Sequence, residues 1–380
     1  MCTLMGACIL RVFAIVNVQL LTPSLAARCR RCFDMMHYGH ANALRQARAL
    51  GARLVVGIHS DEQIIANKGP PLVPYVERLA TLKAMRWVDE VIENAPYTPT
   101  DEWMRTLFEK HAIDYIAHGD DITLNEHGED TYAAPKRAGK FLTLKRTEGV
   151  STTDIIGRLL RRQTTHHRRE SEDANAGDGR PALDLHETGF LATSRRITQF
   201  SKGKHPSPGQ TVVLLTGAFD LFHIGHVDAI RAARAHGDYL IVGIHSDATV
   251  NRLRGEMFPI MNVHERALAV MALQDVDEVV IGCQWRITRD LIISLKVDIV
   301  LAGSVAEHAN YDVDASAASA EYADAAAMGK LVNFASPNPM TSADIIARIA
   351  ASRSKFEEKF ARKALAEKKY NAGKAYVEEA

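Results

Sequence analysis

The stretch Phe33-Asp34-Met35-Met36-His37-Tyr38-Gly39-His40 decides the fold because the chain carries it twice. The second copy is Phe219-Asp220-Leu221-Phe222-His223-Ile224-Gly225-His226, an offset of 186 residues (33 to 219). The same offset relates Gly57-Ile58-His59-Ser60-Asp61 to Gly243-Ile244-His245-Ser246-Asp247. Solenoid repeats are far shorter, so this duplication predicts two like domains.

The histidine pair in each copy predicts a phosphate site. His37 and His40 are three residues apart at the start of a helix pattern, which places both rings on one face beside the backbone N–H groups of the first turn. Those donors, the helix dipole and two imidazoles together favour an anion. Gly39 between them would let a phosphate approach the backbone closely. The same spacing also suits two surface histidines at a helix start, so the surrounding sequence has to decide.

Bulk properties exclude several classes of protein. The 380 residues suffice for two or three domains. With 46 basic and 46 acidic side chains, no net charge draws the chain to nucleic acid. Five cysteines give no disulfide framework, which fits a reducing cytoplasm, and Cys29 and Cys32 have no second pair to complete a zinc site.

Apolar runs and helical patterns alternate along most of the chain, which predicts parallel, doubly wound sheets with ligands beyond the carboxyl ends of the strands. A polar stretch without apolar periodicity separates the two halves and reads as a linker with a docking segment at Phe190 to Phe200. The predicted divisions are an N-terminal extension of uncertain structure (1–27), a catalytic first domain (28–160), a linker (161–210), a degenerate second domain (211–350) and a charged helical tail (351–380).

The N-terminal extension is largely apolar from residue 7 to residue 27 and ends in small residues, as a signal peptide does. Arg11 and Asn17 interrupt the apolar run, and no basic region precedes it. A strand at residues 11–21 or an extension without fixed structure is therefore favoured over a targeting segment.

Two segments carry a resemblance to a known family. Arg146-Thr147-Glu148-Gly149-Val150-Ser151-Thr152-Thr153 resembles the cytidylyltransferase signature R-T-x-G-x-S-T-T, and the His-x-Gly-His helices are similar to those of the nucleotidyltransferases that share a HIGH-type motif with class I tRNA synthetases. Two such domains, joined by a linker that contains Phe190 to Ile197, resemble the ethanolamine-phosphate cytidylyltransferase family. The resemblance covers about residues 28–350 and implies two tandem Rossmann-like nucleotidyltransferase domains.

The resemblance also implies a reaction. CMP would pass from CTP to phosphoethanolamine, giving CDP-ethanolamine and pyrophosphate for phosphatidylethanolamine synthesis. His37 and His40 would hold the triphosphate, Lys68 would bridge the phosphates of the two substrates, and Arg146 would clamp phosphate. Magnesium would accompany CTP, held by phosphates and water rather than by protein ligands.

Further nucleotide contacts are implied for both domains. Residues 151–153 also suit an ordinary helix N-cap, and both roles can hold together. The residues implied to bind CTP are Phe33, Asp34, Gly39, His118, Asp120, Thr147, Ser151, Thr152 and Thr153. A second nucleotide site would comprise Ala218, Phe219, His223 and His226.

The two copies differ at the residues that would perform the chemistry. In the second copy, Ser336-Pro337-Asn338-Pro339 aligns with Arg146 to Gly149, so the arginine is lost. Ala302-Gly303-Ser304 replaces His118-Gly119-Asp120, and Arg254 stands in place of Lys68. We therefore expect the first domain to catalyse and the second to be structural or regulatory.

One departure from the family affects the first domain. Arg31 lies opposite Gly217, and Ala26 to Arg30 lie opposite the apolar strand Val212 to Thr216. The sequence thus predicts that the first domain lacks its first strand and its loop glycine. Either residues 11–21 supply a replacement strand, or the functional protein carries a different N-terminus.

Alternative functions remain open on sequence alone. A tRNA synthetase would need a K-M-S-K-S-type loop and an anticodon-binding domain, for which no segment is evident. A non-catalytic regulatory protein is a stronger rival, and phosphocholine or glycerol phosphate could replace phosphoethanolamine. Asp34, Tyr38 and Trp87 are candidates for holding the ammonium group. No nucleic-acid partner is expected, a homodimer is compatible with the sequence, and any contact with the endoplasmic reticulum would be peripheral.

Overall fold

Two α/β domains of the same architecture make up the described part of the chain. The computed structural model describes residues 26–31, 33–97, 100–119, 130, 132–145, 147, 150–161, 190–255, 258–305, 320–354 and 356. No helix among these residues is long and apolar enough to cross a lipid bilayer.

The first domain is built on a five-stranded parallel sheet in the order β3-β2-β1-β4-β5. Its strands are β1 (Ala26–Arg31), β2 (Arg53–Ile58), β3 (Glu90–Ile92), β4 (Tyr115–Gly119) and β5 (Phe141–Leu144). Its helices are α1 (Tyr38–Ala49), α2 (Asp61–Lys68), α3 (Tyr75–Lys83), α4 (Asp101–Lys110), α5 (Ala133–Arg137) and α6 (Thr152–Arg161).

The second domain repeats this topology after a connecting helix, α7 (Ser194–Phe200), and its parallel sheet has the order β10-β9-β6-β7-β8. Its strands are β6 (Val212–Gly217), β7 (Tyr239–His245), β8 (Glu278–Cys283), β9 (Ile299–Gly303) and β10 (Leu331–Phe334). Its helices are α8 (Ile224–Arg234), α9 (Asp247–Arg254), α10 (Val263–Met271), α11 (Arg289–Ser294), α12 (Ala323–Ala327) and α13 (Ser342–Ala351).

The predicted fold of two tandem parallel-sheet domains is confirmed. Helices cover both faces of each sheet, which is why strands such as β2 and β6 are continuous apolar runs. Leu54, Val55, Val56 and Ile58 of β2 are fully buried, as are Val213 and Leu214 of β6.

The prediction that the first domain lacks its first strand is wrong. Ala26–Arg31 forms β1 and lies at the centre of the sheet, where it pairs with β2 over six residues and with β4. A parallel strand is placed by its backbone hydrogen bonds to two neighbours, so an apolar sequence is not required for the pairing. Residues 11–21 lie outside the described residues, and the position that they were expected to fill is occupied.

The predicted docking segment of the linker makes contact with both domains. Phe200, at the end of α7, is fully buried, and its ring meets Trp87 edge-on with centroids 5.1 Å apart. Arg86 donates from Nη1 to the Phe200 carbonyl oxygen at 2.6 Å. Linker residues 162–189 lie outside the described part, as do Phe360 and Ala364 of the predicted tail helix, whereas Phe356 is buried.

The two domains meet through reciprocal backbone bonds. The N–H of Arg86 donates to the carbonyl of Ala272 at 2.8 Å, and the N–H of Gln274 donates to the carbonyl of Ala84 at 3.0 Å. These four residues occupy equivalent places after α3 and α10. The duplicated domains are therefore related by an approximate twofold axis, and each uses the same surface to contact the other.

Candidate active site

The loop that leads from each central strand to the histidine pair has an unusual backbone. Phe33 and Met35 have φ values of 50° and 56°, and their counterparts Phe219 and Leu221 have values of 53° and 47°. Large side chains rarely adopt this left-handed conformation, and its cost of about 1–3 kcal/mol per residue is typical of functional sites. Both domains therefore keep the same strained loop at the carboxyl edge of the sheet.

The predicted histidine pair lies at the positive end of α1. His37 is the N-cap, and its Nδ1 accepts the N–H of Gly39 at 3.1 Å. The rings of His37 and His40 stack with centroids 3.8 Å apart, and Phe33 meets His40 edge-on at 5.8 Å. Because Nδ1 of His37 is the acceptor, a neutral ring carries its proton on Nε2. The arrangement concentrates donors and positive potential at one point, as a phosphate requires.

Gly39 has a packing role that the sequence did not reveal. A Cβ at this position would lie 2.7 Å from Cγ1 of Val150 and 3.0 Å from Cε1 of His37. At Gly225 the equivalent atom would lie 2.5 Å from the carbonyl oxygen of Met340. The glycine therefore allows the signature segment to lie directly against the start of the histidine helix.

Hydrogen bonds fasten the signature segment to α1. Asn42 donates from Nδ2 to Oγ1 of Thr147 at 2.8 Å, and Gln46 donates from Nε2 to the carbonyl of Lys145 at 3.0 Å. The structure thus brings Thr147 close to the helix that begins at His37, as the predicted nucleotide site requires.

The start of α6 is fixed to the motif loop. Ser151 caps the helix, since its Oγ accepts the N–H of Asp154 at 3.1 Å, and the N-cap interpretation is confirmed. The hydroxyl of Thr152 donates to the carbonyl of Asp34 at 2.9 Å, and Thr153 follows in the first turn. The positive ends of α1 and α6 therefore meet at the same loop.

Asp34 holds the loop that follows Lys68. Its Oδ1 accepts the N–H groups of Leu72 and Val73 at 2.8 and 2.9 Å. In the second domain, the fully buried Asp220 accepts the N–H groups of Ile260 and Met261 in the equivalent loop, one on each carboxylate oxygen. Asp34 therefore orders the segment between Lys68 and α3.

The suggestion that Tyr38 and Trp87 hold the ammonium group is wrong. The Tyr38 ring is fully buried and stacks on Phe190 with centroids 4.1 Å apart. Burial raises the pKa of its hydroxyl. Trp87 packs against Phe200. Both rings serve the contact with the linker rather than a substrate.

Arg78 supports the site but escaped the sequence reasoning. Its buried guanidinium donates to the carbonyls of Val73 and His59 at 3.0 Å and to Asp61 at 2.6 Å. Arg266 makes the equivalent bonds in the second domain. The sequence did contain a signal for this residue, because the pair Glu77-Arg78 near the start of α3 is repeated as Glu265-Arg266 near the start of α10.

An aromatic pair at the carboxyl end of β2 was also missed. The rings of His59 and Tyr97 lie 5.1 Å apart, and Nδ1 of His59 hydrogen-bonds the carbonyl of Ala95 at 2.8 Å. His245 and Trp285 repeat the arrangement at 5.4 Å. An aromatic face at this edge of the sheet suits a small ammonium group.

His118 lies near the end of β4, where the sequence placed it. It is buried, it stacks on Tyr132 with centroids 5.2 Å apart, and its Nδ1 hydrogen-bonds the carbonyl of Gly119 at 2.7 Å. Its strand is the neighbour of β1, so it lies at the same carboxyl edge as the histidine loop. Three predicted site residues have side chains outside the described part of the chain: Lys68, Asp120 and Arg146.

The equivalent site of the second domain keeps its histidines but not their surroundings. The rings of His223 and His226 stack 3.8 Å apart, and Phe219 lies 5.2 Å from His226. Arg254, which replaces Lys68, is buried, and its Nη2 donates to Oγ of Ser342 at 2.7 Å. Its guanidinium lies 3.9 Å from the ring centroid of Phe258.

An acidic residue also enters the second site. Asp228 occupies the place of Asn42 and accepts a hydrogen bond from Nδ2 of Asn338 at 2.9 Å. A carboxylate one turn along the histidine helix opposes the binding of a triphosphate. The second site therefore differs in charge as well as in sequence.

Comparison with known proteins assigns both domains to the same family. The family model described as "Cytidylyltransferase-like" matches residues 32–158 and 214–348. The chain is 47% identical to the ethanolamine-phosphate cytidylyltransferase of Arabidopsis thaliana over 360 residues, which is 91% of this chain and 85% of the relative.

Other relatives carry the same name. The Mus musculus protein is 42% identical over 358 residues, covering 87% of this chain and 86% of the relative. The Dictyostelium discoideum protein is 47% identical over 281 residues, covering 72% and 77%. Since two domains match the family model, both sheets have the same strand order, and similar relatives cover most of the chain, this protein belongs to the ethanolamine-phosphate cytidylyltransferase branch of the cytidylyltransferase-like family.

Proposed function

We propose that this protein transfers CMP from CTP to phosphoethanolamine, giving CDP-ethanolamine and pyrophosphate. The observation that carries the proposal is the stacked histidine pair at the start of α1, with the signature segment fastened against it. The relatives that span most of the chain are named for the same reaction.

The reaction requires that the two substrates are correctly positioned and that negative charge on their phosphates is neutralised, and it needs no covalent enzyme intermediate. An oxygen of phosphoethanolamine attacks the α-phosphorus of CTP in line, and the bond to pyrophosphate breaks. His37 and His40 neutralise charge that gathers on the phosphate oxygens, and the positive ends of α1 and α6 add to that potential. Lys68 and Arg146 contribute further positive charge in our proposal.

The first domain performs the reaction in this proposal, and the second does not. The second site has Asp228 near its histidines and keeps Arg254 bound to Ser342. We expect His40→Ala to lower the rate of CDP-ethanolamine formation at least about 100-fold, because it removes a transition-state contact. We expect His226→Ala to leave the rate within about twofold of wild type, a change of about 0.4 kcal/mol in the barrier, because no step of the proposed reaction takes place in the second site.

The assay uses the full-length chain with labelled CTP and phosphoethanolamine, and it measures CDP-ethanolamine and pyrophosphate. Equal losses in the two variants would contradict the division of labour. Absence of product from the wild-type protein would reject the enzyme and favour a regulatory protein. Phosphocholine and glycerol phosphate, supplied separately, test the choice of substrate.

Magnesium is the metal that we propose accompanies CTP. The described site offers few carboxylate ligands, since Asp34 already accepts two backbone N–H groups. The ion would therefore be held mainly by phosphate oxygens and water, as Mg²⁺ prefers, and would neutralise triphosphate charge.

We also propose that the protein works in the cytoplasm at the surface of the endoplasmic reticulum, through peripheral contact, and as a homodimer.

A further inference from the structure

Two reciprocal ion pairs join the domains across the approximate twofold axis. Arg158 of α6 binds Glu265 of α10 through two hydrogen bonds, of 2.6 and 2.8 Å. Arg348 of α13 binds Glu77 of α3 through two hydrogen bonds of 2.8 Å. Each glutamate precedes the buried arginine of its helix, so the pairs occupy equivalent places. In each pair, the final helix of one domain is held by the other domain.

The two pairs differ in burial. The side chain of Glu265 is fully buried, whereas that of Glu77 is 20% exposed. Burial works against the charge of Arg158, but its bonds to Glu265 outweigh this and leave the pKa of the guanidinium above its ordinary value. Removing one partner of a buried ion pair strongly destabilises the folded protein, because the other charge is left buried without compensation. An exposed pair contributes little to the stability of the fold.

The two glutamates also differ in their hydrogen bonds at the start of their helices. Oε2 of Glu265 accepts the N–H of Asn262 at 2.9 Å, and Oδ1 of Asn262 accepts the N–H of Glu265 at 3.0 Å, which forms a capping box. At the start of α3 the N-cap is Pro74, which provides no side-chain hydrogen bond. Glu265 is therefore fixed in place, while Glu77 lies on a helix without such a cap.

Asn262 extends this arrangement to the histidine helix. Its Nδ2 donates to the carbonyl of Phe190 at 2.8 Å, and the Phe190 ring stacks on Tyr38 with centroids 4.1 Å apart. Tyr38 lies between His37 and Gly39 at the first position of α1. The start of α10 thus reaches α1 through the linker.

The same glutamate reaches the other half of the phosphate site through Arg158. That arginine lies on α6, whose first residue, Thr152, donates to the carbonyl of Asp34 in the motif loop at 2.9 Å. Glu265 therefore connects to both helices whose positive ends meet at the site. The equivalent position in the other domain, Glu77, connects to α13 alone among the contacts described.

We propose that Glu265 is a positioning residue for the transfer reaction: the second domain, through Glu265, Asn262 and Phe190, holds α1 and α6 of the first domain in the geometry that binds CTP. This inference rests on the proposed function of the first domain. It gives the domain that has lost its catalytic residues a direct task in the turnover of the other.

The test compares Glu265→Gln with its symmetry-matched control, Glu77→Gln, in the full-length protein. CTP affinity is measured by titration calorimetry, turnover by CDP-ethanolamine formation, and folding by thermal denaturation. We expect Glu265→Gln to weaken CTP binding and to lower kcat about tenfold or more, because small misplacements of reacting groups are costly. We expect Glu77→Gln to leave both within about twofold, as for loss of a partly exposed pair.

Phe190→Ala tests the other branch without touching the buried charge. It removes the stack on Tyr38, leaves Arg158 and Glu265 in place, and is expected to raise the KM for CTP. Arg158→Gln combined with Glu265→Gln should be no worse than the more harmful single variant, since the two residues act as one unit.

Several outcomes would overturn the inference. Equal effects of Glu265→Gln and Glu77→Gln on CTP affinity would do so, as would a Phe190→Ala protein with unchanged KM. If Glu265→Gln fails to fold, the Phe190→Ala result decides. Wild-type protein that binds CTP but forms no product would reject the proposed function alone, because CTP affinity still distinguishes the variants.

Discussion

At the scale of single residues, the sequence predicts the roles of side chains that belong to a recognisable motif. The spacing of His37 and His40 predicted two rings on one face at the start of a helix, where the structure shows them stacked, and residues 151–153 were recognised as suited to an N-cap, the position that Ser151 occupies. Arg78 was not found, because the repeated Glu-Arg pair was not considered and its partners include backbone carbonyls, which no residue type marks in the sequence. Tyr38 was assigned to the wrong partner, since its ring faces a linker residue 152 positions away in sequence (38 to 190).

Gly39→Ala is a prediction at this scale. The added methyl group would lie 2.7 Å from Cγ1 of Val150 and 3.0 Å from the His37 ring, so one of them has to move. We expect turnover to fall at least about tenfold, because the histidine pair is displaced. Adding Val150→Ala makes room and should restore part of the loss in the same assay. A Gly39→Ala protein with wild-type activity would show that the ring position is not critical.

At the scale of helices and strands, apolar runs predicted the central strands, but β1 was missed. Its sequence, Ala26 to Arg31, carries three arginines, and only its pairing with β2 and β4 identifies it as a strand. Short elements such as α5 and β5 also lack a period long enough to recognise. Contacts between distant segments, rather than local preference, form these elements.

Thr152→Val is a prediction about the placement of α6. The substitution keeps the shape of the side chain but removes the hydrogen bond to the carbonyl of Asp34, which contributes on the order of 1 kcal/mol. We expect CTP affinity to fall about fivefold, measured by titration calorimetry. Thr106→Val is the control, because the hydroxyl of Thr106 donates within α4, to the carbonyl of Glu102, and forms no other side-chain bond to the residues that the structure describes. Equal affinities for the two variants would mean that this bond does not orient the helix.

At the scale of the whole molecule, the duplication predicted two domains but not how they meet. Neither the offset nor the motif shows that the N–H groups of Arg86 and Gln274 donate to the carbonyls of Ala272 and Ala84 across the interface. The hydrophobic core is continuous between the domains and includes residues of both. The domains are therefore expected to unfold together.

Arg86→Met tests this cooperativity. Burial lowers the pKa of Arg86 to about 10, and its side chain donates to the carbonyls of Phe200, Leu273 and Val276. Removing the donor leaves buried carbonyls without a partner, at a cost of about 1–3 kcal/mol. In calorimetry we expect one transition for the wild-type chain, and for the variant a lower Tm or two separate transitions. Arg105→Met, on the exposed face of α4, should leave the trace unchanged; two transitions in the wild type would contradict cooperative unfolding.

The twofold relation within one polypeptide changes how mutations act. In an assembly of identical subunits, each amino-acid replacement appears on both sides of the axis, so a change that ruins one catalytic centre ruins its twin. Here the two sides are encoded by different parts of one gene, so a replacement can change one domain alone. Asn42 and Asp228, which occupy equivalent positions, are an example of such a difference. Tandem fusion therefore lets selection tune each half for a different task while the shared contact surface is kept.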